Sequence, residues 1–564
     1  MAEDGQKQAV KSSCTERGEK DPLLPSHATS ATHNTMSWEW TTSNNNLPPI
    51  RPAPVRFREG SSKRLCCLVL TAVGLLLVAV VGVTLGVSLW IRSSTATESL
   101  PQAIKIGNLM EHLKELQAIA LLHNNSRSVE KGYNASAEMV MTKLANAGYN
   151  VTTQPFSVFV YEDLAPNNAI FYASLASVNF QWKFLQGSEY AVLRYSGSTP
   201  GGQVINATLQ PVSGGCSMDD FSGFLNGSVA LLDYDEVFVN CSLFDMASNA
   251  KAANASAVVW GRGPSQAGIV PPTSRVYRIT ANSMYTVDIP MLGTTYEVRT
   301  TLLSLWKIAT DKNVTLDVQL KTYTSVTSVY TYNVLATTNS GNDNAMIVVG
   351  SHLDSVSAGP GINDNGSGVS ANLEMALQVA TRTVRNKVRF AFWSAEELGL
   401  LGSYHYVMNL TPEEKNNTAL NLNYDMMASP NFVRGVYNGS GAPDAISTQS
   451  RNIQSLFEKN FRDNKLQYEI WPFNGRSDYG SFILPDINIP AGSIATGADP
   501  VKTIDERTNF GGFANTIFDP CYHTVCDTIE NINQAVFIEM ATAAAYVLEQ
   551  LMMKEDLAGF LMSS

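Results

Sequence analysis

Residues 345–368 read AMIVVGSHLDSVSAGPGINDNGSG, and the parsing of this stretch decides the fold. AMIVVG is a continuous apolar run, as expected of a strand buried on both faces rather than on one. It delivers His352, one of only seven histidines in the chain, and then Asp354. Ten residues beyond Asp354 the loop presents Asp364 within INDNGSG. The glycines around it let the backbone swing back toward the strand end.

Outward from this strand, β-like and helical runs alternate from about residue 328: VSANLEMALQVATRTV, KVRFAFWSA, EELGLLGSYHYVM, LNLNYDMM, SRNIQSLFEKNF, DINIPAGSI and a terminal helix near 532–553. This alternation predicts an α/β fold with a doubly wound, mostly parallel sheet. Ligand sites in such sheets lie at the carboxyl ends of the strands. Upstream, NLMEHLKELQAIA and SAEMVMTKLANAGY carry apolar residues at helical spacing, and VTTQPFSVFVY alternates as a strand does. Residues 187–320 form many short β-like runs separated by turn residues, a β-rich insertion that splits the body into 103–186 and 321–564.

The first hundred residues are of another kind. Residues 65–91 contain no charge and exceed the roughly 20 residues that a bilayer-spanning helix needs. Too long a segment precedes them for a cleaved signal peptide, so they read as a retained transmembrane signal anchor. Arg51, Arg56, Arg58, Lys63 and Arg64 lie before the run and only Arg92 closely follows it. The positive-inside rule therefore expects a single-pass type II topology: 1–64 as a Ser/Thr/Asn/Pro-rich, disordered cytosolic tail, 92–102 as a stalk, and the rest lumenal or extracellular. Glycosylation sequons agree, since they start at Asn124, Asn134, Asn150, Asn206, Asn226, Asn240, Asn254, Asn313, Asn409, Asn416 and Asn438, all beyond the anchor. Beyond it, too, the cysteines fall in two close pairs, Cys216/Cys241 and Cys521/Cys526, as expected for disulfides in an oxidising compartment. In the tail, EKDPLLP places Glu19 four residues before Leu23 and Leu24, which resembles an acidic dileucine sorting signal read by a cytosolic adaptor. That signal would direct the protein to vacuole, lysosome or endosome; without it the cell surface is the destination. The net charge of −11 and the lack of basic runs in the body argue against nucleic acid as a partner.

Collecting the strand ends gives His352 and Asp354, then Glu396 and Glu397 after VRFAFWSA, Asp425 after LNLNY, and His523 in CYHTVCD. Each alone has an ordinary explanation. A lone histidine is a polar cap, as His405 is read here; paired glutamates at a helix start favour its dipole; Asp-Asn-Gly is a turn. Together they bring carboxylates and two imidazoles to one sheet edge, where unpaired buried charge is expensive. A pair of zinc ions resolves that cost.

The set SHLDS, NDNGSG, AEELGLLGS, NYDMM and CYHTVCD resembles the co-catalytic dizinc aminopeptidases, which include secreted bacterial leucine-type enzymes and vacuolar aminopeptidase Y. The likeness spans roughly residues 103–555. It implies two Zn2+ per chain, one held by His352 and Asp425, the other by Glu397 and His523, with Asp364 bridging. It implies Glu396 as general base, Asp354 as the partner orienting His352, Tyr522 as the phenol steadying the oxyanion, and a cis peptide at Asp364-Asn365. It places Arg476 in a substrate-shaping segment, with a surface ion pair as the competing reading. The pair Cys521/Cys526 would staple the loop carrying Tyr522 and His523. Asn365 starts a sequon, but its place in the metal loop excludes a glycan. The insertion resembles a protease-associated domain, with Cys216 and Cys241 matching a disulfide of that family, although the usual basic residue is missing from VFVNC. The implied activity is removal of N-terminal residues from peptides by metal-activated water. Three other readings stay open: a glutamate carboxypeptidase-like exopeptidase, disfavoured by the short segment after His523; a catalytically silent receptor-like member of the superfamily, disfavoured by the full ligand set; and a glutaminyl cyclase, disfavoured by the inserted domain.

Overall fold

The structure is a computed structural model that describes residues 98–563, apart from 177–180, 235–240 and 281–282. The anchor 65–91, the tail with Glu19, Leu23 and Leu24, and the sequon at Asn240 therefore lie outside the described residues. What is described falls within the unit Thr95–Ser564.

The larger body is built on eight strands: β1 (Asn150–Asp163), β2 (Thr324–Thr337), β3 (Asn342–His352), β4 (Asn386–Trp393), β5 (Thr418–Tyr424), β6 (Gly435–Tyr437), β7 (Glu469–Trp471) and β8 (Ala491–Ala495). Their spatial order is β1-β2-β4-β3-β5-β8-β6-β7. The expected parallel sheet holds at the centre, where β4, β3, β5 and β8 run parallel. Toward the margins the sheet is mixed: β1 pairs antiparallel with β2, β2 with β4, and β6 with β8. The centre must be parallel because helices connect its strands, and a helical crossover returns the chain in the same direction.

Both faces are covered, as the continuous apolar runs require. On β3, Ile347 and Val349 face a core shared with the helices Ile106–Leu122, Gly368–Val379 and Gln534–Met552. Val348 points the other way, into a smaller cluster with Trp393, Tyr406 and Phe482. Full burial of each such side chain contributes about 1.5–3 kcal/mol. Among the described residues one helix, Gln534–Met552, is long and apolar enough to cross a membrane. Its buried residues, Phe537, Ala544 and Leu548 among them, instead pack in the main core.

Two boundaries differ from the sequence reading. The inserted region begins earlier than 187. Strands β1 and β2 form a long antiparallel ribbon, from Asn150↔Thr337 to Asp163↔Thr324, that leads out of the body and back. Beyond it, Ile170–Leu175 already belongs to the second, ten-stranded sheet, paired with Leu316–Lys321. The insertion thus spans about 164–323, since strand pairing rather than local composition sets its edge. The expected stalk also ends sooner. Leu100 is fully buried and its N–H donates to Glu549 Oε1 at 2.7 Å, so the chain is docked on the terminal helix before residue 102.

Both cysteine pairs are bonded, Cys216 to Cys241 and Cys521 to Cys526. Nine sequon asparagines (124, 134, 150, 206, 226, 254, 313, 409 and 416) are exposed. Asn438 is half-buried and uses its side-chain oxygen to cap the Ser440 amide at 3.1 Å. Asn365 is fully buried, out of reach of any glycan.

Candidate active site

Register alone brings the strand ends to one edge. His352 on β3 sits opposite Trp393, the last residue of β4, and Gly350 opposite Asn423 of β5. The segments leaving these strands therefore emerge on the same side: Glu396 and Glu397 after β4, Asp425 after β5, and Asp364 on the wide turn Ile362–Ser367 after β3. His523 and Tyr522 arrive on the loop closed by Cys521–Cys526. That return of Asp364 requires Gly361 at φ 62, where an added Cβ would collide with the Asp364 carbonyl oxygen. The Asp364-Asn365 peptide is cis.

Asp364 stands between two separate sets. Its Oδ1 lies 3.3 Å from His352 Nε2, which is also 3.4 Å from Asp425 Oδ1. Its Oδ2 lies 3.1 Å from His523 Nε2, which is also 3.1 Å from Glu397 Oε2. His352 Nε2, Asp425 Oδ1 and Glu397 Oε1 are buried without a hydrogen-bond partner, an arrangement that proteins avoid unless something else takes the lone pairs. Ligand atoms of His352, Asp364 and Glu397 lie within 4.8 Å of one another. Imidazole nitrogens and carboxylate oxygens, oriented this way, are the donor set zinc takes. The residues fit the metal that the sequence implied.

The electrostatics arise from that crowding. Burial pushes the Glu397 carboxyl up to about 7, with Asp364 adding to the effect. Burial also opposes charge on Asp364, but His352 and His523 outweigh it and hold that carboxyl below the ordinary range. Burial would lower His523; hydrogen bonding to Asp364 and Glu397 outweighs it and raises the ring to about 10. Glu396 is driven well above the usual carboxylate range by burial, with Glu397, Asp478 and Asp425 adding to it against the pull of His352. A carboxyl so poised is suited to accept and return a proton. Tyr522, stacked on His523 with ring centroids 3.8 Å apart, is raised by burial first and by Asp364 next, so it remains a neutral donor. Asp364, Glu396, Asp425, Tyr522 and His523 all open onto one cavity of about 340 Å³.

A family model described as peptidase family M28 matches residues 333–548. An aminopeptidase of Pseudomonas aeruginosa (strain PAO1) is 36% identical over 467 residues, covering 79% of this chain and 81% of its own. The chain belongs to peptidase family M28. Leucine aminopeptidase 2 of Trichophyton rubrum is 31% identical, covering 80% of this chain and 85% of its own. Among solved structures, an aminopeptidase from Aneurinibacillus sp. strain AM-1 superposes with TM-score 0.60 at 21% identity, covering 81% of this chain and 97% of its own, a likeness of fold.

Other groups in this M28 peptidase hold the constellation in place, and the sequence marks only some of them. Asp354 is expected to orient His352. Its main-chain oxygen lies 3.1 Å from His352 Nδ1 and its carboxylate 3.8 Å from the same nitrogen. The carboxylate accepts from the amides of Glu396 and Glu397, at 3.1 and 3.3 Å. Asp527 accepts from the amides of Asn363 and Asp364 at 2.8 and 3.0 Å and so fixes the turn that carries the central carboxylate. It ends the motif CYHTVCD, where adjacency to Cys526 is the available signal. Ser477 donates to Asp425 Oδ2 at 2.6 Å. Arg127 is completely buried and donates to the carbonyls of Leu353, Pro360 and Gly361, bracing the loop between His352 and Asp364. Nothing in the surrounding NNSRSVE marks it. Arg476 lines the cavity and makes a two-pronged ion pair with Asp499 at 2.8 and 3.1 Å. His405 takes no part, its ring stacked on Phe156 with centroids 4.8 Å apart.

Proposed function

We propose that this M28 peptidase is a membrane-anchored aminopeptidase that works with two zinc ions. The observation that carries the reading is the division of the site around Asp364, whose two oxygens face different histidines, each with a second carboxylate of its own. His352 and Asp425 would hold one ion, His523 and Glu397 the other, with Asp364 shared. Bound there, the metals would acidify water and stabilise developing negative charge. The chain's own residues do the rest. Glu396 takes a proton from the attacking water and delivers it to the departing amine. The Tyr522 hydroxyl donates to the oxygen on which charge develops. Met426, Tyr437, Trp471 and Phe518 give the cavity an apolar wall that suits an aminoacyl side chain. A peptide with a free N-terminus is the substrate this reading assigns to the cavity, and the relatives named aminopeptidases support this choice. Full-length protein should hydrolyse aminoacyl amides, leave N-blocked aminoacyl amides intact, and stop when a chelator is added. Equal turnover of blocked substrates would exclude an aminopeptidase.

The anchor at 65–91 would place this site in a lumen or outside the cell, with the Glu19/Leu23/Leu24 tail facing a cytosolic adaptor and the insertion acting as a protease-associated domain. The exposed sequon asparagines beyond the anchor support that orientation. Deglycosylation of membrane-expressed protein should increase its gel mobility; an unchanged band would overturn the topology.

A further inference from the structure

The glutamate pair at 396–397 sits on a tight, irregular turn of the backbone. Ala395, Gly399 and Leu400 all have left-handed conformations, with φ of 58, 118 and 60. The turn closes through Gly399 N–H and Leu400 N–H onto the Glu396 carbonyl, at 2.7 and 2.8 Å, and through Leu401 N–H onto the Ala395 carbonyl at 3.1 Å. The carbonyls of Glu397 and Leu398 point outward from this turn, and the groups that reach them come from the insertion. Arg275 Nη2 donates to the Glu397 oxygen at 3.0 Å, and the Tyr277 hydroxyl donates to the Leu398 oxygen at 3.2 Å.

The approach is tight. A Cβ on Gly399 would lie 2.5 Å from the Tyr277 hydroxyl and 2.9 Å from Arg275 Nη1, so the chain leaves that position bare for these two side chains. Both are themselves anchored within the insertion. Val276 N–H donates to the Arg194 carbonyl at 2.9 Å, and Arg194 N–H to the Ser274 carbonyl at 3.1 Å. The Tyr277 ring stands edge-on to Tyr195, with centroids 5.2 Å apart. An apolar seam completes the contact, in which Tyr195 and Met284 of the insertion share a cluster with Ala395 and Leu401 of the body.

Glu397 is therefore gripped on both sides. Its amide is held by Asp354 of the body and its carbonyl by Arg275 of the insertion. We propose that the insertion is a working part of the active centre, in which Arg275 and Tyr277 are positioning residues that fix the Glu396–Leu400 turn and so aim the base and the metal-holding carboxylate. This rests on the dizinc aminopeptidase reading of the site. A misplacement of about 1 Å at such groups lowers turnover on the order of 100-fold, and outer partners of metal ligands carry effects of about 10- to 100-fold.

The test uses the full-length protein and four variants: Arg275→Met, Arg275→Lys, Tyr277→Phe, and Met284→Ala as a seam control that touches neither carbonyl. Each is measured for kcat and KM on an aminoacyl amide, for zinc affinity by competition with a chromophoric chelator, and for Tm. The expected result for Arg275→Met is a kcat about 10- to 100-fold lower with KM within about twofold, and a matching loss of affinity for zinc. Tyr277→Phe, which deletes one oxygen and leaves the seam filled, should move the same quantities less, and Arg275→Lys should recover part of the loss. Met284→Ala should lower Tm while kcat and zinc affinity stay as in the parent. Wild-type kcat and zinc affinity in both Arg275→Met and Tyr277→Phe would overturn the proposal, as would a Met284→Ala protein as impaired as Arg275→Met. If the parent protein turned over no aminoacyl amide, the aminopeptidase reading would fail while the zinc competition still decided the role of Arg275.

Discussion

Glu396→Ala protein is expected to keep its full zinc complement and to lose about two to four orders of magnitude in kcat. Glu396 and Glu397 are adjacent in sequence but differ in what they face. Glu397 Oε2 lies 3.1 Å from His523 Nε2, and its Oε1 is buried without a partner. Glu396 instead lines the cavity, and burial together with the neighbouring carboxylates raises its affinity for a proton. On the proposed reading, removing Glu396 takes away the proton carrier and leaves every proposed metal donor standing. Elemental analysis alongside steady-state kinetics separates the two roles. If metal is lost with activity, the base and the ligand have been assigned to the wrong members of the pair.

Asp364→Ala is expected to reduce turnover to background and the bound zinc to fewer than two ions per chain. Among the described residues no other side chain presents one oxygen to each histidine as Asp364 does. The loss should be local. The turn is held through its main chain, with the Asp364 amide donating to Asp527 and Gly366 N–H to the Gly361 carbonyl at 3.0 Å, so the fold should survive. Far-ultraviolet circular dichroism would check that point while inductively coupled plasma analysis counts the metal. A variant retaining two ions and turnover within tenfold of the parent would remove Asp364 from its central place.

Most of the ligand candidates can be read from the chain because they come at or just after the end of a recognisable strand. AMIVVG is apolar on both faces, while VRFAFW and LNLNY each keep one apolar face and are interrupted on the other by Arg389 and by Asn421 and Asn423, and parallel central strands must expose their next residues at a common edge. His352, Glu396, Glu397 and Asp425 therefore declare themselves by position, and the Asp364 loop by its glycines. The disulfide pairs are legible from spacing within an otherwise cysteine-poor body. Helix and strand periods likewise locate Ile106–Leu122, Tyr133–Asn146 and Gln534–Met552 closely.

The supporting groups are not legible, and the reason is common to all of them. Arg127 meets Leu353, Pro360 and Gly361 across more than two hundred residues. Arg275 and Tyr277 reach Glu397 and Leu398 across more than a hundred. These are contacts to main-chain carbonyls, which every residue carries, so no residue type at the receiving end betrays them. The same holds for the insertion's edge, set by pairing of Ile170–Leu175 with Leu316–Lys321 rather than by composition. Side chains that act as chemical donors were thus named by the sequence, because their identity is their function. The frame that aims them came only from tertiary structure, because backbone hydrogen bonding is blind to sequence and is decided by which segments the fold brings side by side.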